Sequence, residues 1–375
     1  MAERERALEA LGLNPLFGGL YAGRRVLVTG HTGFKGSWLV LWLQALGAEV
    51  SGLALDPDTD PSHWQLLDLQ LKHEARIDLR DAAAVTAAIA AAAPEVVFHL
   101  AAQPLVRRSY REPATTFDTN VGGLVHLLDA VRACPSVRVV INATTDKVYE
   151  PHAVQYVYRE DDRLGGHDPY STSKACAELV STCYRRSYFD FDDGRGHAVQ
   201  LATARAGNVI GGGDWGEDRL VPDFMRATSS GQTLRIRNLR ATRPWQHVLD
   251  PLSGYLRAGQ ALLSGTAGGD AWNFGPAAHA TLTVGDVVAR LQHEFPKVKV
   301  ETDAGPHPHE AAQLSLDCSK AARQLAWRPV WNADTTLERT AQWYRAYSAD
   351  GSVRSRDDLV AYVADARSAG LEWAA

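Results

Sequence analysis

The sequence predicts an α/β protein with a Rossmann-type, doubly wound parallel sheet and a smaller, discontinuous substrate-binding lobe. Three observations lead to this prediction: apolar strands alternate with apolar helices up to about residue 205, a glycine-rich turn joins the first of these strands to a helix, and glycine- and arginine-rich loops begin near residue 207. The chain has 375 residues, 45% of them hydrophobic, so it can form a large core. At roughly 150 residues per domain, the length predicts two domains, or one large α/β unit that carries a smaller lobe.

The elements of the main domain follow one another in a regular order. Residues 1 to about 22 predict an extension with a short helix at 6–13. Strands are predicted at 25–29, 49–55, 96–100, 137–143 and 198–204, and helices at 37–46, 82–93, 120–133 and 172–188. Such alternation indicates a parallel sheet with helices on both faces.

The second half of the chain predicts a lobe that is interrupted by a return to the sheet. Strand and helix units at 246–263 and 272–274 are expected to rejoin the main sheet. We therefore predict a main domain of residues 20–205 and about 244–275, and a lobe of about 206–243 and 276–345. Residues 1–19 form an extension and residues 346–375 a C-terminal segment.

Composition excludes several classes of function. The net charge of −5, with both signs spread along the chain, argues against a nucleic-acid partner held by phosphate neutralisation. The four cysteines lack the spacing of a disulfide framework or a zinc site, and His307, His309 and Glu310 lack further ligands, so no metal is expected. Without a signal peptide or a long apolar run, we expect a cytoplasmic protein with no membrane partner.

Three glycines form the first motif with chemical content. Gly30, Gly33 and Gly36 lie between the first strand and the following helix, where a tight turn and a helix N-terminus can bind a pyrophosphate. Asp56, twenty residues beyond Gly36, could accept hydrogen bonds from a ribose 2′-hydroxyl, which favours NAD over NADP, or could be an ordinary turn residue. Asp78 and the residue after it are a weaker candidate for the adenine site.

A second group of residues suggests proton transfer. Tyr170 and Lys174 are four residues apart and share one face of a helix that begins near Pro169. A nearby ammonium and an oxidised nicotinamide can stabilise the phenolate form of the tyrosine. Asp146 and Lys147 follow a predicted strand, at the sheet edge where ligands bind, and supply the proton donor and acceptor that an elimination needs. A surface ion pair is the alternative for these two residues.

Arginines recur in the predicted lobe. Arg219, Arg237 and Arg243, together with Asn208, could bind a diphosphate through bidentate guanidinium contacts. Any one of these arginines, taken alone, fits a solvated surface position as well.

Several strings carry a resemblance to a known family. They are TGHTGFKGSW at 29–38, FHLAAQ at 98–103, TDK at 145–147, the stretch 204–214 and RPWQHV at 243–248. From about Leu20 to Tyr344 the chain resembles the extended short-chain dehydrogenase/reductases that act on nucleotide sugars, and within them the CDP-glucose 4,6-dehydratases. Asp146-Lys147 is typical of that group, since related dTDP-glucose dehydratases carry Asp-Glu there. The longer N-terminal extension and the residues after about Asp350 depart from the family pattern.

The resemblance implies a reaction and a set of residues. It implies oxidation of CDP-glucose at C4, loss of water across C5 and C6, and reduction at C6, with NAD unchanged overall. Implied as catalytic residues are Thr145, Asp146, Lys147, Tyr170 and Lys174. Implied as cofactor residues are Gly30, Thr32, Gly33, Phe34, Lys35, Gly36, Asp56, Asp78, Leu79, Leu100, Ala101, Ala102, Tyr170 and Lys174. Implied as substrate residues are Gln103, Asn208, Arg219, Leu220, Arg237 and Arg243.

Two alternatives remain, and an oligomer is expected. A nucleotide-sugar epimerase of the same superfamily would use the same glycine turn and the Tyr170/Lys174 pair without needing Asp146 beside Lys147. A binding protein on this fold would be expected to have lost Tyr170 or Lys174. The resemblance also implies a homodimer or a dimer of dimers, formed through the helices that carry Tyr170 and Asn120.

Overall fold

The computed structural model describes residues 12–152, 156–189, 198–277, 282–303, 305 and 315–375. The strands are β1 (Arg25–Thr29), β2 (Glu49–Ala54), β3 (Glu74–Arg76), β4 (Val96–His99), β5 (Val139–Ala143), β6 (Val157–Tyr158), β7 (Gln200–Ala206), β8 (Val209–Ile210), β9 (Leu234–Ile236), β10 (Thr242–Arg243), β11 (Gln246–His247), β12 (Ala271–Phe274), β13 (Leu282–Thr283), β14 (Val300–Thr302) and β15 (Ser315–Leu316).

The helices surround these strands. They are α1 (Phe34–Ala45), α2 (His63–Leu67), α3 (Ala82–Ala92), α4 (Val106–Arg111), α5 (Pro113–Phe117), α6 (Gly123–Ala133), α7 (Pro169–Tyr184), α8 (Leu220–Ser230), α9 (Leu249–Leu263), α10 (Val284–Glu294), α11 (Ser319–Leu325), α12 (Ala333–Asp350) and α13 (Ser355–Ser368). Shorter 3₁₀ or π turns lie at Leu16–Gly19, Asp118–Gly122, Asp146–Val148, Arg185–Phe189 and Glu372–Ala374.

A seven-stranded parallel sheet forms the centre of the fold. Its strand order is β3-β2-β1-β4-β5-β7-β12, so the order reverses between β1 and β4. Ligands bind at such a switch point, beyond the carboxyl ends of the strands. The predicted doubly wound parallel sheet is therefore confirmed, and its switch point lies beside the glycine turn that follows β1.

The boundaries of several elements differ from the sequence prediction for local reasons. The helix that carries Tyr170 begins at Pro169, because Asp168 caps it by accepting a hydrogen bond from the backbone N–H of Ser171. Strand β3 was not predicted, since its Glu-Ala-Arg sequence lacks strand-forming residues. Strand β12 joins the main sheet beside β7 as predicted, whereas β11 pairs with β8 outside that sheet.

The core has one apolar cluster on each face of the sheet and another in the second lobe. One sheet face is packed by α1, α9 and the C-terminal helix α13, and the other by α3, α6 and part of α7. The lobe has its own cluster, which includes Phe224, Leu291 and Trp343. This cluster draws on residues 210–245, 287–298 and 337–344, so the lobe is discontinuous in sequence.

Both terminal segments pack on the core of the main sheet. The ring of Phe17 stacks on that of Trp373 with 5.0 Å between centroids, and both side chains are buried. On α9, the Asp250 carboxylate accepts hydrogen bonds from the Tyr362 hydroxyl on α13, at 2.8 Å, and from the backbone N–H of Val330, at 2.7 Å. Burial raises the pKa of Asp250 to about 7. Most of the helix predicted at 6–13 lies outside the described residues.

Two features of the described ranges bear on partners. No helix in the described part of the chain combines the length and the apolar character needed to cross a membrane. Among these same residues, no group of three or more His, Cys, Asp or Glu side chains is arranged to hold a metal ion. His307, His309 and Glu310 lie outside the described residues.

Candidate active site

The glycine turn is shaped by close backbone contacts at two of its three glycines. Gly30 has a positive φ of 73°, and a Cβ there would lie 2.7 Å from the backbone nitrogen of Ala101. A Cβ at Gly36 would lie 2.1 Å from the Gly30 carbonyl oxygen, whereas one at Gly33 would be 3.4 Å from it. Helix α1 then begins at Phe34 without a capping side chain, so its first N–H groups are available to an anion.

The end of β2 lies beside this turn. The Thr32 hydroxyl donates to the Leu55 carbonyl at 2.9 Å, which joins the turn to the residue after β2. Asp56 follows, two residues beyond the end of the strand, and its side chain is 88% exposed with the Arg76 guanidinium 3.8 Å away. The Asp56 carboxylate therefore lies at the sheet edge and is accessible to a ligand.

The other predicted cofactor residues occupy neighbouring strand ends. Asp78 pairs with Arg80, whose hydrogen bond lowers the pKa of that carboxyl, and Leu79 is buried. The backbone N–H of Ala101 donates to the Thr29 hydroxyl at 3.2 Å, so the ends of β1 and β4 are in contact. The residues that directly follow β4 are Leu100, Ala101 and Ala102.

A short turn after β5 carries the predicted acid and base. The Thr145 hydroxyl donates to Oδ1 of Asp146 at 3.0 Å and accepts from the backbone N–H of Lys147 at 3.3 Å. Oδ2 of Asp146 is buried and has no hydrogen-bond partner among the described residues. A buried carboxylate oxygen without a donor is costly, so this atom is suited to a partner that arrives with a ligand. Lys147 is partly exposed.

Helix α7 places the predicted tyrosine and lysine against this turn. The Lys174 ammonium donates to the carbonyl of Ala143, the last residue of β5, at 3.1 Å, and burial lowers the pKa of Lys174 to about 8. Burial raises the pKa of Tyr170 to about 12, and a hydrogen bond with Thr145 offsets part of this increase. The structure thus brings the five predicted catalytic residues together.

Two cations lie close to the catalytic residues. The charge of Arg219, which precedes α8 and pairs with Asp214 at 3.0 Å, also lowers the pKa of Tyr170. Nζ of Lys35, on α1, lies 3.4 Å from the Tyr255 hydroxyl. Burial, together with the charges of Arg219 and Lys174, lowers the pKa of Lys35 to about 8.

The remaining substrate predictions are spread over other elements. Leu220 is the first residue of α8, Arg237 follows β9, and Arg243 lies in β10, where its Nη1 donates to the Thr242 carbonyl. The Asn208 carbonyl accepts from the backbone N–H of Gln246. Roles for these residues in binding a diphosphate stay predictions.

Gln103 has structural hydrogen bonds. Its side-chain amide donates to the Leu105 carbonyl at 3.1 Å and to the Thr116 hydroxyl at 2.9 Å, and its side-chain oxygen accepts from the backbone N–H of Leu105. A role for Gln103 in binding substrate also stays a prediction.

Three residues near the site were not predicted. Glu178 is one helical turn beyond Lys174, and this spacing of four was a signal that the sequence offered. Arg205 is the only charged residue in strand β7, and because a buried charge is costly unless it is paired, its position in the sequence was a signal for an ion pair. Tyr255 lies on α9 with no motif around it, so nothing local indicated its position beside Lys35.

Comparisons with known proteins agree with this architecture. A family model described as GDP-mannose 4,6 dehydratase matches residues 27–340. The chain is 47% identical to the CDP-glucose 4,6-dehydratase of Salmonella typhimurium, over 91% of this chain and 94% of that protein. It is 31% identical to a UDP-glucose 4-epimerase of Mycolicibacterium smegmatis, over 86% of this chain and 98% of that protein.

A solved structure shares the fold. It is a dTDP-glucose 4,6-dehydratase from Streptomyces venezuelae with NAD bound, 26% identical, with a TM-score of 0.71 over 85% of this chain and 96% of that one. The family model covers most of the chain, and the relative of highest identity named above is matched over nearly its whole length. The chain therefore belongs to the GDP-mannose 4,6 dehydratase family of extended short-chain dehydrogenase/reductases.

Proposed function

We propose that the protein is an NAD-dependent lyase that converts CDP-D-glucose to CDP-4-dehydro-6-deoxy-D-glucose, a step of deoxysugar biosynthesis. The observation that carries this proposal is the turn after β5, where a buried oxygen of Asp146 has no hydrogen-bond partner among the described residues and lies on the same turn as Lys147 and Thr145, which contacts Tyr170. The 47% identity to a CDP-glucose 4,6-dehydratase supports the choice of nucleotide.

The glycine turn fits a dinucleotide. Side chains are excluded at Gly30 and Gly36, and the uncapped start of α1 offers N–H groups to a pyrophosphate. In this proposal Asp56 accepts hydrogen bonds from a ribose, which its exposed position beyond β2 supports, and Lys174 binds the nicotinamide ribose. When bound, NAD would supply the hydride acceptor for oxidation at C4 and the hydride donor for reduction at C6.

Tyr170 and Thr145 act on the hydroxyl at C4. The Tyr170 oxygen takes the hydroxyl proton as the C4 hydride leaves, which generates a ketone, and the Thr145 hydroxyl donates a hydrogen bond to the C4 oxygen. The phenolate needs stabilisation because burial raises the pKa of Tyr170 to about 12. The positive charges of Lys174, Arg219 and the oxidised nicotinamide provide it.

Asp146 and Lys147 act on the next two carbons. The ketone acidifies the C5 hydrogen, and Lys147 takes this proton on its side-chain nitrogen. Asp146 donates a proton to the C6 hydroxyl, the C6–O bond breaks, and water leaves. Lys147 returns its proton to C5 as C6 is reduced, and the proton held by Tyr170 replaces the one that Asp146 gave, so the net change is the loss of one water.

The second lobe and the assembly complete the proposal. The nucleotide diphosphate binds the guanidinium groups of Arg219, Arg237 and Arg243. Asn208 and Leu220 line the same part of the site. In this proposal the domains have the bounds predicted from the sequence, and NAD binds in the main domain.

A homodimer is supported by the surface of the helix that carries Tyr170, where the apolar residue Leu179 is 60% exposed. A cytoplasmic location is supported by the four cysteines, all of which are free thiols.

The direct test is to incubate the purified protein separately with CDP-glucose, dTDP-glucose and GDP-mannose and to measure the mass of each sugar nucleotide. We expect CDP-glucose alone to lose one water. A product of unchanged mass with an inverted hydroxyl in its NMR spectrum would establish an epimerase instead and would remove the proposed roles of Asp146 and Lys147.

The variants Asp146→Asn and Lys147→Met test those roles. Each keeps the approximate shape of the side chain and removes its ability to transfer a proton. We expect both to abolish water loss while NAD stays bound, as measured by product mass and by the nucleotide released on denaturation. Wild-type turnover in both variants would contradict the assignment.

A further inference from the structure

A buried ion pair lies directly behind the turn that carries Asp146 and Lys147. Glu178 and Arg205 are 1% and 3% exposed, and Nη2 of Arg205 donates to Oε2 of Glu178 at 2.7 Å. Neither side chain takes part in the chemistry described above. A buried pair of charges is often no more stabilising than apolar side chains of the same volume, so stability alone is a weak reason for its presence.

Glu178 holds the residue that precedes the turn. Its Oε1 accepts a hydrogen bond from the Thr144 hydroxyl at 2.5 Å. The backbone N–H of Thr144 donates to the Ala204 carbonyl of β7 at 2.9 Å. One helical turn earlier, Lys174 binds the Ala143 carbonyl. Helix α7 therefore fixes both residues through which the chain leaves β5.

Arg205 holds the residue that follows the turn. Its Nη1 donates to the Tyr149 hydroxyl at 2.9 Å, and its guanidinium lies 5.0 Å from the centre of the Tyr149 ring. The Tyr149 hydroxyl donates in turn to Oδ1 of Asn273 in β12, at 2.7 Å. The far end of the turn is thus tied to the main sheet, and the ion pair connects the two ends.

The pair is held in its charged form. Burial alone would raise the pKa of Glu178, but the charge of Arg205 and hydrogen bonds from Arg205, Thr144 and Thr203 lower it. Hydrogen bonds to charged groups are shorter and stronger than neutral ones, so both ends of the turn have rigid attachments.

We propose that Glu178 and Arg205 are positioning residues that fix residues 145–148 at both ends and thereby set the rate of water elimination more than that of oxidation at C4. This inference rests on the proposed function, in which the elimination uses two residues of the turn, Asp146 and Lys147. Oxidation at C4 uses only Thr145 from the turn, together with Tyr170 and Lys174, which are fixed by the helix itself. A displacement of about 1 Å in a catalytic group can lower a rate about 100-fold.

The test uses variants that remove the hydrogen bonds between the ends of the turn and the ion pair but leave the ion pair itself intact. Thr144→Val removes the bond to Glu178, and Tyr149→Phe removes the bond to Arg205. The matched control is Ser181→Ala, which removes the buried bond between Ser181 and Asn142, at 3.0 Å, between the same helix and the same strand.

The readout separates the two chemical steps. In Thr144→Val and Tyr149→Phe we expect kcat for water loss to fall about 10- to 100-fold and KM for CDP-glucose to change by less than about twofold. The absorbance at 340 nm that forms on mixing with CDP-glucose should persist, because oxidation then outpaces elimination. Ser181→Ala should match the wild type. Equal losses of oxidation and elimination, or the same change in Ser181→Ala, would overturn the proposal.

Amide hydrogen exchange tests the same idea without turnover. Residues 145–148 should exchange faster in Thr144→Val and Tyr149→Phe than in the wild type and in Ser181→Ala. Unchanged exchange in the first two variants would overturn the positioning role whatever the turnover. A wild-type protein that dehydrates none of the three nucleotide sugars would instead overturn the proposed function, and exchange would still decide whether the ion pair holds the turn.

Discussion

The mutation Gly36→Ala tests how closely the glycine turn packs against the start of α1. The new Cβ would lie 2.1 Å from the Gly30 carbonyl oxygen, whereas real Cβ atoms essentially never come within 3.0 Å of an atom of a residue that is not their chain neighbour. Because that oxygen belongs to the backbone, no flexible side chain can move aside, and the turn or the helix has to shift by about 1 Å. Overpacking of this kind lowers the free energy of unfolding by about 1–3 kcal/mol.

The same shift moves the groups proposed to bind the pyrophosphate, so we expect the Kd for NAD to rise about 100-fold. Thermal unfolding without cofactor and calorimetric titration with NAD measure the two effects. Gly33→Ala places its Cβ 3.4 Å from the Gly30 oxygen, an ordinary contact, and should keep the wild-type unfolding temperature. Gly268→Ala, with nothing within 4 Å, should change neither property. Wild-type stability and NAD affinity in Gly36→Ala would refute the packing argument.

Two further predictions concern pH and assembly. Burial raises the pKa of Asp250 from 3.8 to about 7, so the stability contributed by its neutral form is fully present below about pH 4 and is lost as the pH rises through 7. Denaturant titrations should show the free energy of unfolding falling over this window, with a smaller slope in Asp250→Asn; an equal slope would contradict the assignment. Leu179→Asp should shift the sedimenting species from dimer to monomer, whereas Val360→Asp, at a 41% exposed position on α13, should not; a dimeric Leu179→Asp would exclude that surface.

Local patterns predicted the parts of the site that depend on local geometry. Tyr170 and Lys174 share a helix face because helical residues four apart always do. Asp146 and Lys147 lie at the ligand-binding edge because they follow a buried strand of a parallel sheet. The glycine turn was predicted from its place between a strand and a helix. Each of these inferences needed only a short segment of chain.

Contacts between distant segments could not be predicted in the same way. Lys35 and Tyr255 are 220 residues apart, and only the packing of α9 across the sheet brings them together. Arg205 and Tyr149 come from different strand ends, and their contact depends on the order of β5 and β7. The strand predicted at 49–55 ends one residue earlier, at Ala54, because the end of a strand is set by its neighbours rather than by its own residues.

The stacking of Phe17 on Trp373 has a consequence for how the protein is made. The core that begins with Leu13 and β1 is completed by α13 and Trp373, more than three hundred residues later in the sequence. During synthesis, the apolar surface of α1 that packs against α13 and Trp373 therefore remains uncovered until those residues have been made. Contacts of such high sequence separation form slowly, and exposed apolar surface promotes aggregation. We expect chains that stop before α13 to require chaperones or to aggregate, even though they contain the whole glycine turn and the catalytic residues.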